Sequence, residues 1–288
     1  VDVAAVVVHH RAIDLLQPTL EHLARQSVRR VVVVDNGNES DAVADAIKLV
    51  HWLSQEVVQI EVPNEGYAAA LNEGMRVVAD ADAFLLMSHE TRLGDNSVEK
   101  LVREFEAPDV GVAAPLLCRL DDPQVVWSAG GSLDPESLRV FHHGGGEPAS
   151  SWRTRLAQDV DWVDGAAWLV RADAAKQAGP LDERFFLYFE ETSYCYRLRS
   201  LGWRVRCVPE AVAWQLPGNP DYALFARNRL RFLRMNLGRR AVARALGQQL
   251  RDVVADVRGH GKPSFETRQG VLGAWSFLRH PSRRTMRT

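Results

Sequence analysis

Short apolar runs alternate with stretches of helical spacing through the first ninety residues of the chain. Val3–His10 (VAAVVVHH) is β-branched and almost continuously apolar, as a parallel strand buried on both faces would be. LLQPTLEHLARQ follows with helical periodicity, and Pro18 falls near its start, where a missing N–H costs least. Val31–Ser40 reads as a second strand with its exit loop, and Asp41–His51 as a helix. VVQIEVPN is a third strand, Gly66–Asp80 a helix with alanine on its close-packing side, and Ala83–Met87 a fourth strand. Repeated strand–helix alternation predicts an open α/β sheet with helices on both faces.

The second half is less regular. Gly111–Cys118 and Asp161–Arg171 read as strands, joined by loop-rich segments that include WSAGG and FHHGGGEPASS. Gly144–Gly146 suits a lid or a long surface hairpin, and His142 and His143 read as exposed loop residues. RADAAKQAGPLDERFF gives a short helix and a Gly-Pro turn. Arg204–Trp214 alternates like a half-buried strand, with Pro209 limiting how central it can be. YALFARNRLRFLRMNL begins a basic amphipathic helix, with Leu230, Leu233 and Leu237 on the packing side and Arg229, Arg231 and Arg234 toward solvent. Val242–Val257 is a further helix, and Trp275–Thr288 a basic tail that suits either weak contact with an anionic membrane or a frayed end.

Composition narrows the class. With 46% hydrophobic and 25% charged residues over 288 positions, the chain is ordinary globular protein. A formal charge of −2 gives no reason to expect a nucleic-acid partner. Cys118, Cys195 and Cys207 are odd in number and widely spaced, which points to a reducing compartment. No secretory pattern or membrane-length apolar run is present, so a cytoplasmic location is expected, with the tail allowing peripheral membrane contact.

Candidate chemistry gathers in two places. Polar residues close the predicted strands: His9 and His10, Asp35 and Asn36, Asn64, then Ser88-His89-Glu90. In an open α/β sheet, that edge binds ligands. There is no GxGxxG or Walker loop to mark a dinucleotide or P-loop site. The other place is Phe185–Trp203, FFLYFEETSYCYRLRSLGW, where an aromatic run meets Glu190 and Glu191 at the start of a predicted helix. A helix N-terminus favours carboxylates in their charged form.

In order along the chain, these motifs resemble the inverting nucleotide-sugar glycosyltransferases of the large GT-A family, over roughly residues 3–237 and most closely the rhamnosyl- and galactofuranosyltransferases of family 2. VVVVDNGNESD is similar to the family's Val-Asp-Asn-Gly-Ser-x-Asp loop, and PNEGYAAALNEGM to its nucleotide-cradling Asn-x-Gly segment. The resemblance implies that Asp35, Asn64, Gly66 and Asn72 bind the nucleotide, with His9 beside base or ribose and Arg227 reaching the diphosphate. It also implies a UDP- or dTDP-sugar donor, because a carboxylate accepts the imide N–H of uracil or thymine. VDGAA resembles the segment beneath the sugar, so Asp164 and Gly165 are expected there. FEETS matches the acceptor motif, which gives Glu191 the role of general base and Glu190 that of a loop-shaping or sugar-binding residue; Ser193 replaces the motif's last Asp.

The metal position departs from the family pattern. Ser88-His89-Glu90 stands where relatives carry Asn-Pro-Asp or Asp-x-Asp, and Gln215 where many carry a late histidine. Glu90, with Gln215 as the second candidate ligand, is expected to hold Mg²⁺ or Mn²⁺ weakly against the diphosphate. The whole reads as one GT-A domain with a single mixed sheet: a nucleotide-sugar half (1–118), an acceptor half (119–216) and a C-terminal helical extension (217–288). The expected reaction is inverting transfer to a hydroxyl of a glycan or small molecule. Two rivals stand beside it. A nucleotidyltransferase would want a basic, glycine-rich phosphate loop where the chain has His9-His10-Arg11, and a decayed carbohydrate-binding module would bind donor without turning it over.

Overall fold

The computed structural model describes residues 1–50, 56–216, 218, 220–260 and 262–279. The first half runs β1 (Val3–His9), α1 (Leu16–Leu23), β2 (Arg30–Asp35), α2 (Ser40–Leu49), β3 (Glu56–Glu61), α3 (Tyr67–Val77) and β4 (Ala83–Ser88). These four strands are parallel, in the order β3-β2-β1-β4. The end expected for α2 at His51 lies outside the described residues. The second half adds β5 (Thr91–Leu93), α4 (Ser97–Arg103), β6 (Val110–Arg119), β7 (Val126–Ser128), β8 (Gly131–Leu133), β9 (Val140–His142), β10 (Gln158–Asp159), β11 (Ala167–Arg171), α5 (Ala172–Ala178), α6 (Glu190–Ser200) and β12 (Arg204–Gln215). The sheet continues as β4-β11-β6-β12-β10, and β11 runs antiparallel to both neighbours. The fold is therefore one mixed sheet flanked by helices, a GT-A-like architecture.

The sheet divides two cores. Ala4, Val6 and Val8 of β1 face α3 and α6, whereas Val3, Ala5 and Val7 face α1, α2 and α4. Burial on both sides is why that strand reads as continuously apolar. Gly74 lets α3 lie close on the sheet: a Cβ there would stand 3.0 Å from Val34 Cγ2 and overlap Val6. Pro209 sits in a strand one place in from the edge, within the register shift between Val208 and Val212. A bulge leaves a residue unpaired, so the missing N–H is tolerated there.

The direction of β11 positions the site. Because it is antiparallel to β4, the chain enters it at the edge where β4 ends, and Ser88 N donates to Ala166 O at 3.0 Å. Asp164 and Gly165 are thereby delivered to the same edge as Ser88, His89 and Glu90.

Among the described residues three helices follow β12: α7 (Tyr222–Asn236), α8 (Gly238–His260) and α9 (Phe265–Arg279). With Phe185 and Phe189 they form a third core. Leu230 and Leu233 pack there as expected, but Leu237 is exposed. Arg231, expected in solvent, is buried and donates to the carbonyl of Arg184. Arg229 is half-buried and bonds Leu138 O at 3.2 Å. The inward face of α7 is wider than its leucines mark, because arginine stems are apolar and their heads reach carbonyls of the neighbouring loops. Helix α9 went unread in the sequence. Gly273 and Ala274 on its inner side allow close contact with α7, and small residues give little periodic signal. Of the expected basic tail, Trp275–Arg279 ends this helix and residues 280–288 lie outside the described residues.

His142 is exposed, but its ring is not idle. It stacks edge-on to Trp162 at 4.9 Å and lies 5.8 Å from Trp127. The triple glycine follows the β8–β9 hairpin, and Gly144 is pressed against the Trp152 indole.

Candidate active site

The parallel strands end in register. His9 is opposite Asp35, Asp35 opposite Glu61, and Val8 opposite Ser88. His9 is fully buried, its Nε2 3.0 Å from Glu39 Oε2 and its ring 4.8 Å from that of His89. Asp35 is also fully buried, and both its oxygens are engaged. Oδ1 accepts from Gly37 N, and Oδ2 from Glu39 N, at 2.8 Å each, with Ser40 Oγ at 3.2 Å. These two residues, given to the nucleotide by resemblance, shape the turn into α2 in this structure. Asn64 is exposed, and its Oδ1 accepts from Gly66 N at 3.3 Å.

The segment before α6 is strained. Phe186, Tyr188 and Phe189 have φ of 68°, 69° and 73°. Left-handed backbone at bulky residues costs free energy and persists only where the surroundings over-determine it. Here several residues do so. Asn228 Nδ2 lies 2.8, 2.7 and 3.0 Å from the carbonyl oxygens of Phe185, Leu187 and Tyr188. Arg227 adds a bond to Phe185 O at 3.1 Å, and Tyr67 N donates to Phe186 O at 2.7 Å. Gly66, at φ 107°, admits the Phe186 backbone: a Cβ would stand 2.6 Å from Phe186 Cα. Asn72 holds the preceding turn, donating to Leu181 O at 3.0 Å and accepting from Leu181 N at 2.9 Å. Thus Gly66, Asn72 and Arg227, expected at the nucleotide, fasten the segment that leads into α6.

That loop delivers two carboxylates to the first turn of α6. Glu190 is 3% exposed, and its Oε2 has no hydrogen-bond partner. Glu191 is half-buried, accepts from Thr192 Oγ1 at 2.9 Å, and packs beside Gly165, whose absent Cβ would be 3.5 Å from Glu191 Cγ. Burial, then the charge of Glu191, pushes the Glu190 carboxyl well above its ordinary range. Burial, then the charge of Asp164, raises Glu191 to about 7. The expectation that the helix N-terminus lowers both pKa values is reversed in direction: desolvation and like charge outweigh the N-terminal amides.

Asp164 is set in place from both sides. Trp127 Nε1 donates to its Oδ2 at 3.1 Å, and Ala166 N to its Oδ1 at 3.0 Å. The hydroxyl of Tyr67 reaches Gly165 O at 2.9 Å. Burial first, then the charges of Glu190, Asp164, Glu191 and Glu90, raise that phenol well above its ordinary value, so it stays a donor. Tyr67 and Trp127 were missed in the sequence. The signal for Tyr67 was its place directly after Gly66, at the start of a helix aimed at the site.

At the metal position, β5 pairs with β12 so that Thr91 is opposite Gln215, and Leu216 N contacts Glu90 O at 3.5 Å. Glu90 is half-buried, and burial raises its carboxyl. Gln215 Oε1 is buried without a hydrogen-bond partner. Among the described residues no cluster of three His, Cys, Asp or Glu can hold a metal. The backbone thus brings Glu90 and Gln215 to neighbouring positions, each with a side-chain oxygen of the kind that hard divalent cations take.

Comparison with known proteins identifies the family. Residues 2–234 match the family model described as glycosyltransferase like family 2. A low-salt glycan biosynthesis hexosyltransferase, Agl10, from Haloferax volcanii is 23% identical over 203 residues, 69% of this chain and 62% of that protein. An N-acetylglucosaminyl-diphospho-decaprenol L-rhamnosyltransferase from Mycobacterium tuberculosis is 29% identical over 170 residues, 51% of this chain and 54% of that protein. The matches thus span less than two thirds of the length of these relatives. Among solved structures, GalNAc-T7 with UDP, GalNAc and Mn²⁺ superposes with a TM-score of 0.61 at 15% identity, covering 81% of this chain and 47% of that one. Residues 1–349 of S. aureus TarS in complex with UDP superpose with a TM-score of 0.57 at 12% identity, covering 97% and 92%. With the family model spanning most of the chain, from β1 into α7, this protein belongs to the glycosyltransferase like family 2.

Proposed function

We propose that the chain transfers a sugar from a UDP- or dTDP-sugar to a hydroxyl acceptor with inversion, Glu191 acting as general base. The observation that carries this is the placement of Glu191 beside the open backbone of Gly165, at the edge where β4 and β11 meet. The acceptor hydroxyl gives its proton to Glu191 while its oxygen bonds to the anomeric carbon from the face opposite the diphosphate. The bond from that carbon to the diphosphate oxygen breaks, and the diphosphate leaves with the electron pair. A base near neutrality balances availability against proton affinity, and Glu191 is held at about 7.

Glu190, buried and pushed toward its neutral form, can donate to a sugar hydroxyl from its unpartnered side. Asp164, fixed by Trp127, faces the same space. A divalent cation bound by Glu90 and Gln215 would supply charge neutralisation at the departing diphosphate. The GalNAc-T7 structure holds Mn²⁺ and UDP, and the TarS structure holds UDP, which supports a uridine-type donor and a metal-using site.

The test is a panel of UDP-, dTDP- and GDP-sugars, read first by thermal shift and then by turnover, with wild type, Glu191→Gln and Glu190→Gln. Removing the base should cost ~10²–10⁴-fold in turnover with donor affinity nearly unchanged. Near-normal turnover by E191Q on a working acceptor would end the assignment. A collapse confined to E190Q would move the base to Glu190. Donor binding without turnover by the wild type would favour a binding module.

A further inference from the structure

Helix α9 buries Gly273, Ala274 and Phe277 against the domain and leaves the opposite face bare. Val271, Leu272, Trp275 and Leu278 are 46%, 53%, 54% and 61% exposed. Their spacing of three and four places them on one side of the helix, together with Arg268 and Arg279. The Arg279 guanidinium lies 3.7 Å from the centre of the Trp275 ring. Helix α8 touches α9, with Gln249 filling the notch at Gly270. Its distal half carries an exposed stripe of its own, Leu250, Val254 and Val257, with Arg251 and Arg258 beside it.

We infer that this outer face of α9, with the adjoining stripe of α8, docks on the surface of an anionic lipid bilayer. Charge selects the occupant. Residues 238–279 hold eight Lys and Arg against three Asp and Glu, in a chain whose formal charge is −2. Two of those acids are engaged: Asp252 pairs with Arg139 at 2.6 Å, and Asp256 accepts from Thr267 Oγ1 at 2.6 Å and Ser264 N at 2.9 Å, holding the start of α9. A second copy of the chain would bring this basic face against itself, because a two-fold interface pairs a patch with its own image. An apolar stripe bearing tryptophan and flanked by arginines matches the boundary between acyl chains and acidic headgroups. Among the described residues no helix is long and apolar enough to cross a membrane, so the contact is superficial.

The face leads to the reaction site. Phe265, at the head of α9, meets the Tyr222 ring edge-on at 6.1 Å. One turn along α7, Phe225 touches Tyr188 at 6.0 Å and Phe189 at 4.9 Å, the residues just before Glu190. Docking would therefore set the acceptor-side loop near the bilayer.

The test is co-sedimentation of the full chain with vesicles of phosphatidylcholine alone, or with 30% phosphatidylglycerol. It reads lipid binding without turnover, so it stands apart from the catalytic assignment. The expected result is binding to the anionic vesicles that falls at least tenfold in Leu272→Glu/Trp275→Glu, while Leu156→Glu, an exposed residue elsewhere, binds as wild type. A thermal melt checks that each variant is folded. No binding to anionic vesicles, or equal binding by wild type and the α9 variant, would overturn the inference. So would a wild-type dimer in light scattering that this double variant dissolves, which would assign the face to self-association.

Discussion

The side-chain amide of Asn228 lies 2.7 Å from the carbonyl oxygen of Leu187, the middle of three loop carbonyls that this one nitrogen reaches. Residue 228 is fully buried in α7, and the loop it holds carries left-handed phenylalanine and tyrosine residues directly before Glu190 and Glu191. Asn228→Ala leaves those carbonyls short of a donor. A buried polar group left unsatisfied costs about 1–3 kcal/mol, so denaturant unfolding should show a loss in that range or above. Turnover should fall with it, because the strained backbone relaxes and Glu191 moves. Unchanged stability in N228A would show that the loop holds its shape unaided.

The pH dependence of turnover reports on Glu191. The base must be ionised, and it is held at about 7, so kcat/KM should rise with pH up to about that value and level off above it. Asp164 is the second cause of that elevation, so Asp164→Asn should move the rising limb to lower pH. Stability runs the other way. The folded state holds this proton more tightly than an unfolded glutamate near 4.5, so between about 4.5 and 7 the folded state binds more protons and stability falls as pH rises. E191Q should flatten that fall. A D164N profile superposable on wild type would show that Asp164 does not act on the base.

Gly66→Ala probes the packing of α3 against the acceptor loop. The new methyl would overlap the Phe186 backbone, and φ of 107° is a region that residues with a Cβ rarely adopt. Such strain costs ~1–3 kcal/mol, so the melting temperature should drop and the acceptor KM should rise with the displaced loop. If nucleotide affinity alone changes, Gly66 serves the donor and not the loop.

Metal titration tests the paired oxygen donors. Turnover should be lost to EDTA and restored by Mg²⁺ or Mn²⁺, and Glu90→Gln should raise the metal concentration needed for half-maximal rate at least tenfold. Gln215→His adds an imidazole opposite Thr91 and should lower it. Full turnover in EDTA would remove Glu90 and Gln215 as ligands and direct attention to a cationic side chain.

Much was legible along the chain because its causes are local. Valine-rich runs made parallel strands wherever both faces were to be buried, and polar residues at their ends marked the edge where the site lies. Glu190 and Glu191 stood out as acids at the head of a helix. What remained depended on partners remote in sequence. Asn72 is 109 residues from Leu181, and Asn228 is 40 or more from each carbonyl it holds, so nothing near either residue tells its role. The pKa shifts of Glu190 and Glu191 run opposite to the expected direction for the same reason. The helix terminus that lowers a carboxyl pKa is visible in the sequence, whereas the burial that raises it, and the charge of Asp164 beside it, come from segments remote along the chain. Residue order gave the strands and the acids. Only tertiary packing decided which side chains hold the loop, which hold the proton, and which helix face stays bare, because burial is a property of what the rest of the chain brings alongside.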